Sequence, residues 1–379
     1  MNVSVEVSVS QDKLSRLLGY LDHDSGNLNL IAEAASTALE AGQAAKTIDL
    51  LGRYEAITQL PLALLNLRGM AALRLDRFDD ALEVFEVLFL ALPDEAAIRF
   101  NLAWSATMLG NDRRAADVLD EATLSAVPGA AALKVQALHR QGLLEEALEL
   151  GTGLAEQYPQ DEGLLGALSL VAIDSQMPEL ALAYASKSAG TAEGLSTLGM
   201  LTLQKNNIDD ALNYFESGLS ARPDSARNLL GKGLALMAAG NVHDGADYLD
   251  KSAAGFGNHL GTWIASGWAH FAKGDHAKAR TIFEHALALD DTFSESHGAL
   301  AVLDILDGNI AGARDRTETA LRLDRRCFSG ALAKSLLFAH DGDDESAQRV
   351  RQLTLNTPVG DSGSTISDAM VAMASRWRV

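Results

Sequence analysis

The stretch RFDDALEVFEVLFLALPD at residues 77–94 returns as NIDDALNYFESGLSARPD at residues 207–224, with Asp-Asp-Ala-Leu, a phenylalanine and a closing Pro-Asp in the same places. A chain that repeats itself over this length builds one supersecondary unit many times, and every copy must solve the same packing problem. With Ala81 as the reference, small residues recur at Ala115, Ala147, Ala181, Ala211, Gly245, Ala279, Ala313 and Ala347; most steps are 34 residues, with one of 32 and one of 30. Turn formers stand about five residues before most of these positions: Gly110-Asn111, Gly142, Asn206-Asn207, Gly240-Asn241, Gly274-Asp275, Gly308-Asn309 and Gly342-Asp343. A glycine just past a helix takes the left-handed conformation that closes it, and the Asn or Asp beside it caps the next. Each unit therefore reads as helix, tight turn, helix.

Both helices are amphipathic. In ALEVFEVLFLAL, Leu82, Phe85, Leu88 and Phe89 fall at three- and four-residue spacing. One such hairpin cannot hide its own apolar face, so it must stack on the hairpins before and after it. Ten units fit end to end, starting near residues 28, 62, 96, 128, 162, 192, 226, 260, 294 and 328. The step from Ala181 to Ala211 is short, and SKSAGTAEG at residues 186–194 is rich in small residues; a bend or hinge, and a simply shortened helix, both fit this stretch.

Composition narrows the function. With 31 basic and 51 acidic residues the formal charge is −20, which opposes phosphate backbones and anionic lipid heads and favours basic or apolar partners. Cys327 is the single cysteine, so neither an intrachain disulfide nor a Cys-rich zinc site can form. The start, MNVSVEVSVSQDK, lacks the basic and apolar regions of a secretory signal, and no run reaches the ~20 apolar residues of a membrane span. The expectation is a cytoplasmic chain.

Three segments stand outside the repeats. Residues 1–27 hold alternating Val3, Val5, Val7 and Val9, then Leu14, Leu17 and Leu18; the valines suit either a strand or an unordered end. The repeat region is expected over 28–361, with NTPVGDSGST at 356–365 a loop and 366–379 a closing helix carrying Met370, Met373 and Trp377.

Motifs that carry chemistry are few. There is no His-Glu-x-x-His and no phosphate loop; the nearest fragment, Gly231-Lys232-Gly233, falls inside a first helix and reads as helix packing. His259, His270, His276, His285 and His297 crowd into 39 residues but occupy different repeat positions, so no metal site is expected from them. Cys327 has no visible base partner and reads as a plain buried thiol. The chain is expected to be no enzyme, and no cofactor is called for.

The repeat resembles the tetratricopeptide repeat. Trp263, Gly267, Ala279, Phe283 and Ala286 match one unit of that consensus, Gly69, Phe78, Ala81, Phe85 and Pro93 another, and Gly199, Ala211, Phe215 and Pro223 a third, while Thr47 takes the small-residue place of the first unit. The resemblance implies an all-α fold, an α-α superhelix in which about ten helix-turn-helix repeats form a right-handed solenoid. It also implies a concave groove lined by the first helices, where the family usually holds peptides or helices. Carried onto this chain, the groove positions include Met70, Phe100, Trp104, Met200, Leu203, Leu234, Met237, Ile264, Trp268 and Phe271, a mostly apolar set. Asn101, with Arg99 and Arg68 near it, is one fragment of the polar clamp that some members carry, and one asparagine is not a clamp. Trp104 and Trp268 share a repeat position and suit either ligand contact or packing, whereas Trp263 holds the consensus packing place.

The expected function is a non-enzymatic scaffold that takes a helix or peptide in an apolar groove, with secretion and assembly factors among the roles implied. The partner is a protein or peptide and not nucleic acid. The alternatives are a self-assembling scaffold, with the chain as a homo-oligomer, and the accessory repeats of an enzyme complex.

Overall fold

The computed structural model describes residues 3–356, and all of its regular structure there is helical. One helix, α1 (Val3–His23), precedes ten hairpins. The first hairpins are α2 (Leu28–Glu40) with α3 (Ala44–Glu55), α4 (Leu62–Arg74) with α5 (Phe78–Ala91), α6 (Ala96–Met108) with the pair α7 (Asp112–Val118) and α8 (Glu121–Ala126), and α9 (Ala130–Arg140) with α10 (Leu144–Gln157). Then come α11 (Glu162–Asp174) with α12 (Pro178–Lys187), α13 (Ala192–Gln204) with α14 (Ile208–Ala221), and α15 (Ala226–Ala238) with α16 (Val242–Phe256). The last are α17 (Leu260–Ala272) with α18 (His276–Leu289), α19 (Ser294–Leu306) with α20 (Ile310–Leu323), and α21 (Phe328–His340) with α22 (Asp344–Leu355). Backbone contacts divide the chain into two compact units, Met1–Leu164 and Leu165–Val379, the division falling within α11. The expected closing helix at 366–379, and all but Asn356 of the expected loop at 356–365, lie outside the described residues.

The turn inside every hairpin uses one left-handed residue at the same place. It is glycine at Gly42, Gly110, Gly142, Gly240, Gly274, Gly308 and Gly342, and a non-glycine at Asp76, Gln176 and Asn206, with φ of 54°, 60° and 59°. The backbone geometry is therefore common to all ten units even where the residue is not. After the turn, Asn111, Asn241, Asp275, Asn309 and Asp343 each accept from a backbone N–H of the following helix.

Packing inside the hairpins is set by glycines that leave room for aromatic rings. A Cβ on Gly199 would lie 2.5 Å from the Phe215 ring and one on Gly231 only 2.1 Å, so this ring is wedged between the first helix of its own hairpin and that of the next. Gly267 against Phe283 and Gly69 against Phe85 repeat the contact. Mid-helix glycine costs about 1 kcal/mol of helix propensity, and here it is the condition for seating the largest fully buried side chains, Phe85, Phe215 and Phe283. Gly231-Lys232-Gly233 is part of this packing, with Gly233 against Leu249. Ala81 and Ala279 are fully buried at their helix crossings.

Two features differ from expectation or decide between readings. The alternating valines lie in α1 and form no strand: among the described residues there is no second strand to face them, while Leu14, Leu17 and Leu21 at helical spacing are buried against the cluster of Ile31, Ala34 and Ala38. The short step before Ala211 is a shortened helix, since α12 has 10 residues where α10 and α14 have 14. The 32-residue step has a cause that the sequence reading missed, a second helix broken at Leu119 into α7 and α8. The main-chain carbonyls freed there accept from neighbouring first helices, Val118 O from Arg99 Nη1 (2.9 Å) and Leu119 O from Lys134 Nζ (2.6 Å).

Candidate ligand-binding face

Several first helices pack directly on the next, α2 on α4, α6 on α9, α13 on α15, α17 on α19 and α19 on α21, so first-helix side chains of neighbouring hairpins lie side by side. In the unit ending at Leu164 the face of these helices carries a patch built on α6. Phe100, Trp104 and Met108 follow at four-residue spacing on one side of the helix; Trp104 is 41% exposed and Met108 47%. The Phe100 and Trp104 rings stack with centroids 6.5 Å apart and planes at 28°. Asn101 Nδ2 lies 3.3 Å from Met70 Sδ on α4, and this brings Met70, Asn101, Phe100 and Trp104 onto one wall. Sequence reading missed Met108, although the four-residue step from Trp104 was there to find it.

Charge is sorted between α4, α6 and α9 on one side and α5 and α10 on the other, although the first helix α2 carries Glu33 and Glu40 and the second helices α3 and α7 carry Lys46, Arg53, Arg113 and Arg114. The first helices α4, α6 and α9 contain Arg68, Arg74, Arg99, Lys134 and Arg140 and no Asp or Glu. The second helices α5 and α10 contain Asp79, Asp80, Glu83, Glu86, Glu145, Glu146, Glu149 and Glu156 and no Lys or Arg. The three helices that carry the apolar wall thus hold no carboxylate of their own. Several of the cations are engaged: Arg68 pairs with Glu55, Arg140 lies 3.5 Å from Asp112, and Arg99 pairs with Asp120 and stacks over Phe89.

In the second unit the expected face residues are largely drawn into packing. Met200 and Leu203 rest on the cluster of Ile208, Ala211, Phe215 and Ala235, and Leu234 and Met237 on that of Ala246, Leu249 and Ala269. Ile264 is buried with Phe283 and Leu300. Trp268 and Phe271 join this cluster to that of Ala301, Val302 and Ala333, and the Trp268 ring meets Phe271 at 5.1 Å and Phe283 at 5.4 Å, both edge-on. Trp263 is half-buried against the same cluster, and its Nε1 donates to Gly257 O at 2.6 Å. The two tryptophans that share a repeat position thus have different surroundings.

The histidines do not converge. His259 caps α17 through Nδ1, His276 stacks on Phe271, His285 meets Trp263 edge-on, and His297 bonds Asp291 O. Among the described residues no group of three or more His, Cys, Asp or Glu is placed to hold a metal ion. Cys327 is buried, and burial, with the Glu295 carboxylate adding to it, pushes its thiol up to about 12, far from a reactive thiolate.

His270 is fully buried, with Nε2 at 3.1 Å from both oxygens of Asp250, which also accepts from Ser266 Oγ and Lys278 Nζ at 2.6 Å each. This carboxylate ties α16 to α17 and α18. Burial alone would raise its pKa; hydrogen bonds from Lys278, Ser266 and His270 outweigh burial and hold the carboxyl below its ordinary 3.8. A depressed folded-state value contributes stability above the unfolded value, and that contribution is lost as pH falls through the folded one. Acid titration of the unfolding midpoint should therefore show a loss below about pH 4 that is smaller in Asp250→Asn; equal slopes for parent and variant would remove this carboxylate from the account.

Among the described residues no helix is long and apolar enough to cross a membrane. Two profiles of the tetratricopeptide repeat match the chain, one over residues 66–131 and 197–259 and the other over 260–293. A protein named CTR9 homolog from Arabidopsis thaliana is 28% identical over 135 residues, which is 35% of this chain and 12% of that protein. Among solved structures, the human IFIT1 dimer with PPP-AAAA has a TM-score of 0.53 at 13% identity, covering 92% of this chain and 94% of that one. The Cut9–Hcn1 hetero-tetramer of the APC/C has a TM-score of 0.51 at 14% identity, covering 99% and 89%. At such identities these likenesses concern the fold, an all-helical solenoid of hairpins.

Proposed function

We propose that this tetratricopeptide-repeat chain is a non-enzymatic scaffold that takes a helix or peptide of a protein partner on the α6 wall of its first unit. The observation that carries the reading is Trp104. It is a large aromatic held open on a first helix, stacked on Phe100, extended by Met108 and bordered by Met70 and Asn101. A partner side chain laid on this ladder removes apolar surface from water on both molecules, and a Trp anchor of ~150–250 Å² is large enough to dominate affinity after ordering costs. The side-chain oxygen of Asn101 can accept from a ligand backbone. The positive residues of α4, α6 and α9 leave this wall free of the carboxylates that would resist an apolar or acidic segment. Nucleic acid is not the reading we favour, because the chain as a whole is strongly negative and the patch is apolar. A role in secretion or in the assembly of a larger complex fits such a scaffold.

Trp104→Glu tests this beside Trp268→Glu. We expect the first to keep its unfolding midpoint, with a change within about 0.5 kcal/mol as for surface sites, and to lose capture of the partner from source lysate. The second should lose about 3 kcal/mol or more, since it puts a charge among packed rings. Normal capture by a folded Trp104→Glu chain would end the proposal. Binding of single-stranded RNA that the same substitution abolishes would reassign the wall to nucleic acid, and concentration-dependent dimerisation that it abolishes would make the partner a second copy.

A further inference from the structure

The apolar ladder on α6 ends between two arginines. Arg74, Met108 and Arg140 are the last residues of α4, α6 and α9, and each stands two residues before a left-handed turn residue, Asp76, Gly110 or Gly142. All three are exposed. Helix α9 packs on α6, and Asn101 joins α6 to Met70 of α4, so the three helix ends form a row with Met108 in the middle. Arg140 is held in this row through Asp112, four residues past Met108. The Asp112 carboxylate lies 3.5 Å from the Arg140 guanidinium, and the Asp112 carbonyl accepts from Gln141 Nε2 at 3.1 Å.

The positive charge in the row is only loosely answered. Arg74 gives an N–H of Nη1 to a neutral acceptor, the Leu39 carbonyl. The Arg140 side chain is 51% exposed and its pair with Asp112 is long. Burial outweighs Arg140 and holds the Asp112 carboxyl above its ordinary 3.8. The opposite end of the ladder has the opposite sign, since α6 starts directly after Asp94 and Glu95, both exposed. Between these ends Phe100, Trp104 and Met108 advance by about 6 Å per step of four residues, the step at which another helix repeats its own apolar side chains.

We propose that the occupant of this wall is an amphipathic helix of a protein partner, laid antiparallel to α6, with acidic residues in its first turn against Arg74 and Arg140 and basic residues in its last turn against Asp94 and Glu95. The proposal rests on the reading of Trp104 as the anchor and names the partner's chemistry and direction. Antiparallel placement sets the positive N-terminal end of the partner's dipole at the negative C-terminal ends of α4, α6 and α9. Acid first and base last is also the order that a helix favours for its own stability, so the partner meets both ends of the wall without strain on its sequence. A parallel helix has to reverse that order or set like charges together at both ends.

Labelled synthetic peptides of about 18 residues, five turns of helix, test this with the full chain. One carries a leucine stripe, glutamates in its first turn and lysines in its last; a second has glutamine in place of every end charge. By fluorescence anisotropy the charged peptide should bind about five- to tenfold tighter. That advantage should vanish in the double variant Arg74→Gln with Arg140→Gln, and in about 0.5 M salt. Direction is read by disulfide trapping on Met108→Cys, with buried Cys327 unreactive. A cysteine in the peptide's first turn should cross-link about tenfold faster than one in its last. Equal binding of the charged and glutamine peptides, still lost in Trp104→Glu, would leave the wall standing and overturn the partner assigned to it. Equal trapping from both peptide ends would overturn the direction, and undiminished binding of a proline-interrupted peptide would overturn the helix. If neither peptide binds in a Trp104-dependent way, the wall itself falls and this proposal with it.

Discussion

Phe215→Ala should destabilise the chain by about 3–5 kcal/mol, the range for removing a large aromatic from a packed interior. The site justifies the upper part of that range. The ring is fully buried, packs with Ile208, Ala211 and Ala235, and lies between Gly199 and Gly231 on two successive first helices. Neither glycine has a side chain that can turn into the space, so the cavity stays open unless the backbones move together. Gly231→Ala approaches the same contact from the other side. It gains about 1 kcal/mol of helix propensity yet puts a Cβ 2.1 Å from the ring, and overpacking of roughly 1–3 kcal/mol should leave a net loss. Chemical denaturation of both variants decides the matter. A Phe215→Ala midpoint close to the parent's would mean that the ring is not the wedge between hairpins.

The second large effect is expected at Asp304 on α19. Its carboxylate is 7% exposed and accepts from Arg280 on α18 at 2.9 Å and from Arg316 on α20 at 3.0 Å, while Arg280 also reaches Asp307 at 2.8 Å. Removing one member of a fully buried pair costs roughly 3–5 kcal/mol because the partner charge is left behind. The two guanidiniums here are a quarter to a third exposed, so part of that penalty returns through hydration, and Asp304→Ala should lose about 2–3 kcal/mol. Asp304→Asn keeps the shape and one acceptor and should lose less. If both substitutions leave the unfolding midpoint in place, the network is decoration on hairpins that hold together without it.

Much of the fold could be read from the chain because one physical requirement is written ten times. Small residues at the helix crossing, a left-handed turn and amphipathic spacing located every hairpin, and the structure places first helices at or within two residues of each expected start. The turns at Asp76 and Gln176 were harder to see, since only glycine announces positive φ in a sequence, whereas backbone closure imposes it on whatever residue stands there. The break between α7 and α8 was invisible for a different reason. It depends on Arg99 and Lys134 reaching carbonyls from other helices, a tertiary event with no local signature.

The candidate face was less legible. Repeat position put Trp104 and Trp268 in one class, but their exposure is decided by which neighbours stand beside them. Trp268 has Phe271 and Phe283 against its ring, while among the described residues the aromatic partner of Trp104 is Phe100. The ion pair between Asp174 on α11 and Arg227 on α15 was hidden from the sequence because its partners lie 53 residues apart and belong to hairpins that do not follow one another.

The sorting of charge between α4, α6 and α9 on one side and α5 and α10 on the other gives the first unit an electric dipole across its thickness as well as a net charge. A molecule arriving from solution experiences that dipole as a torque before any side chains meet. Segments with an acidic end are turned toward the α6 wall and basic ones toward the opposite layer, within a Debye length of about 8 Å in physiological salt. The same polarity orients one copy of the unit against another, so that in crowded solution like layers turn away from each other while unlike layers attract. Selection among partners thus begins in the field around the hairpins, as a matter of approach and rate, and the apolar ladder acts only on what has already been turned to face it.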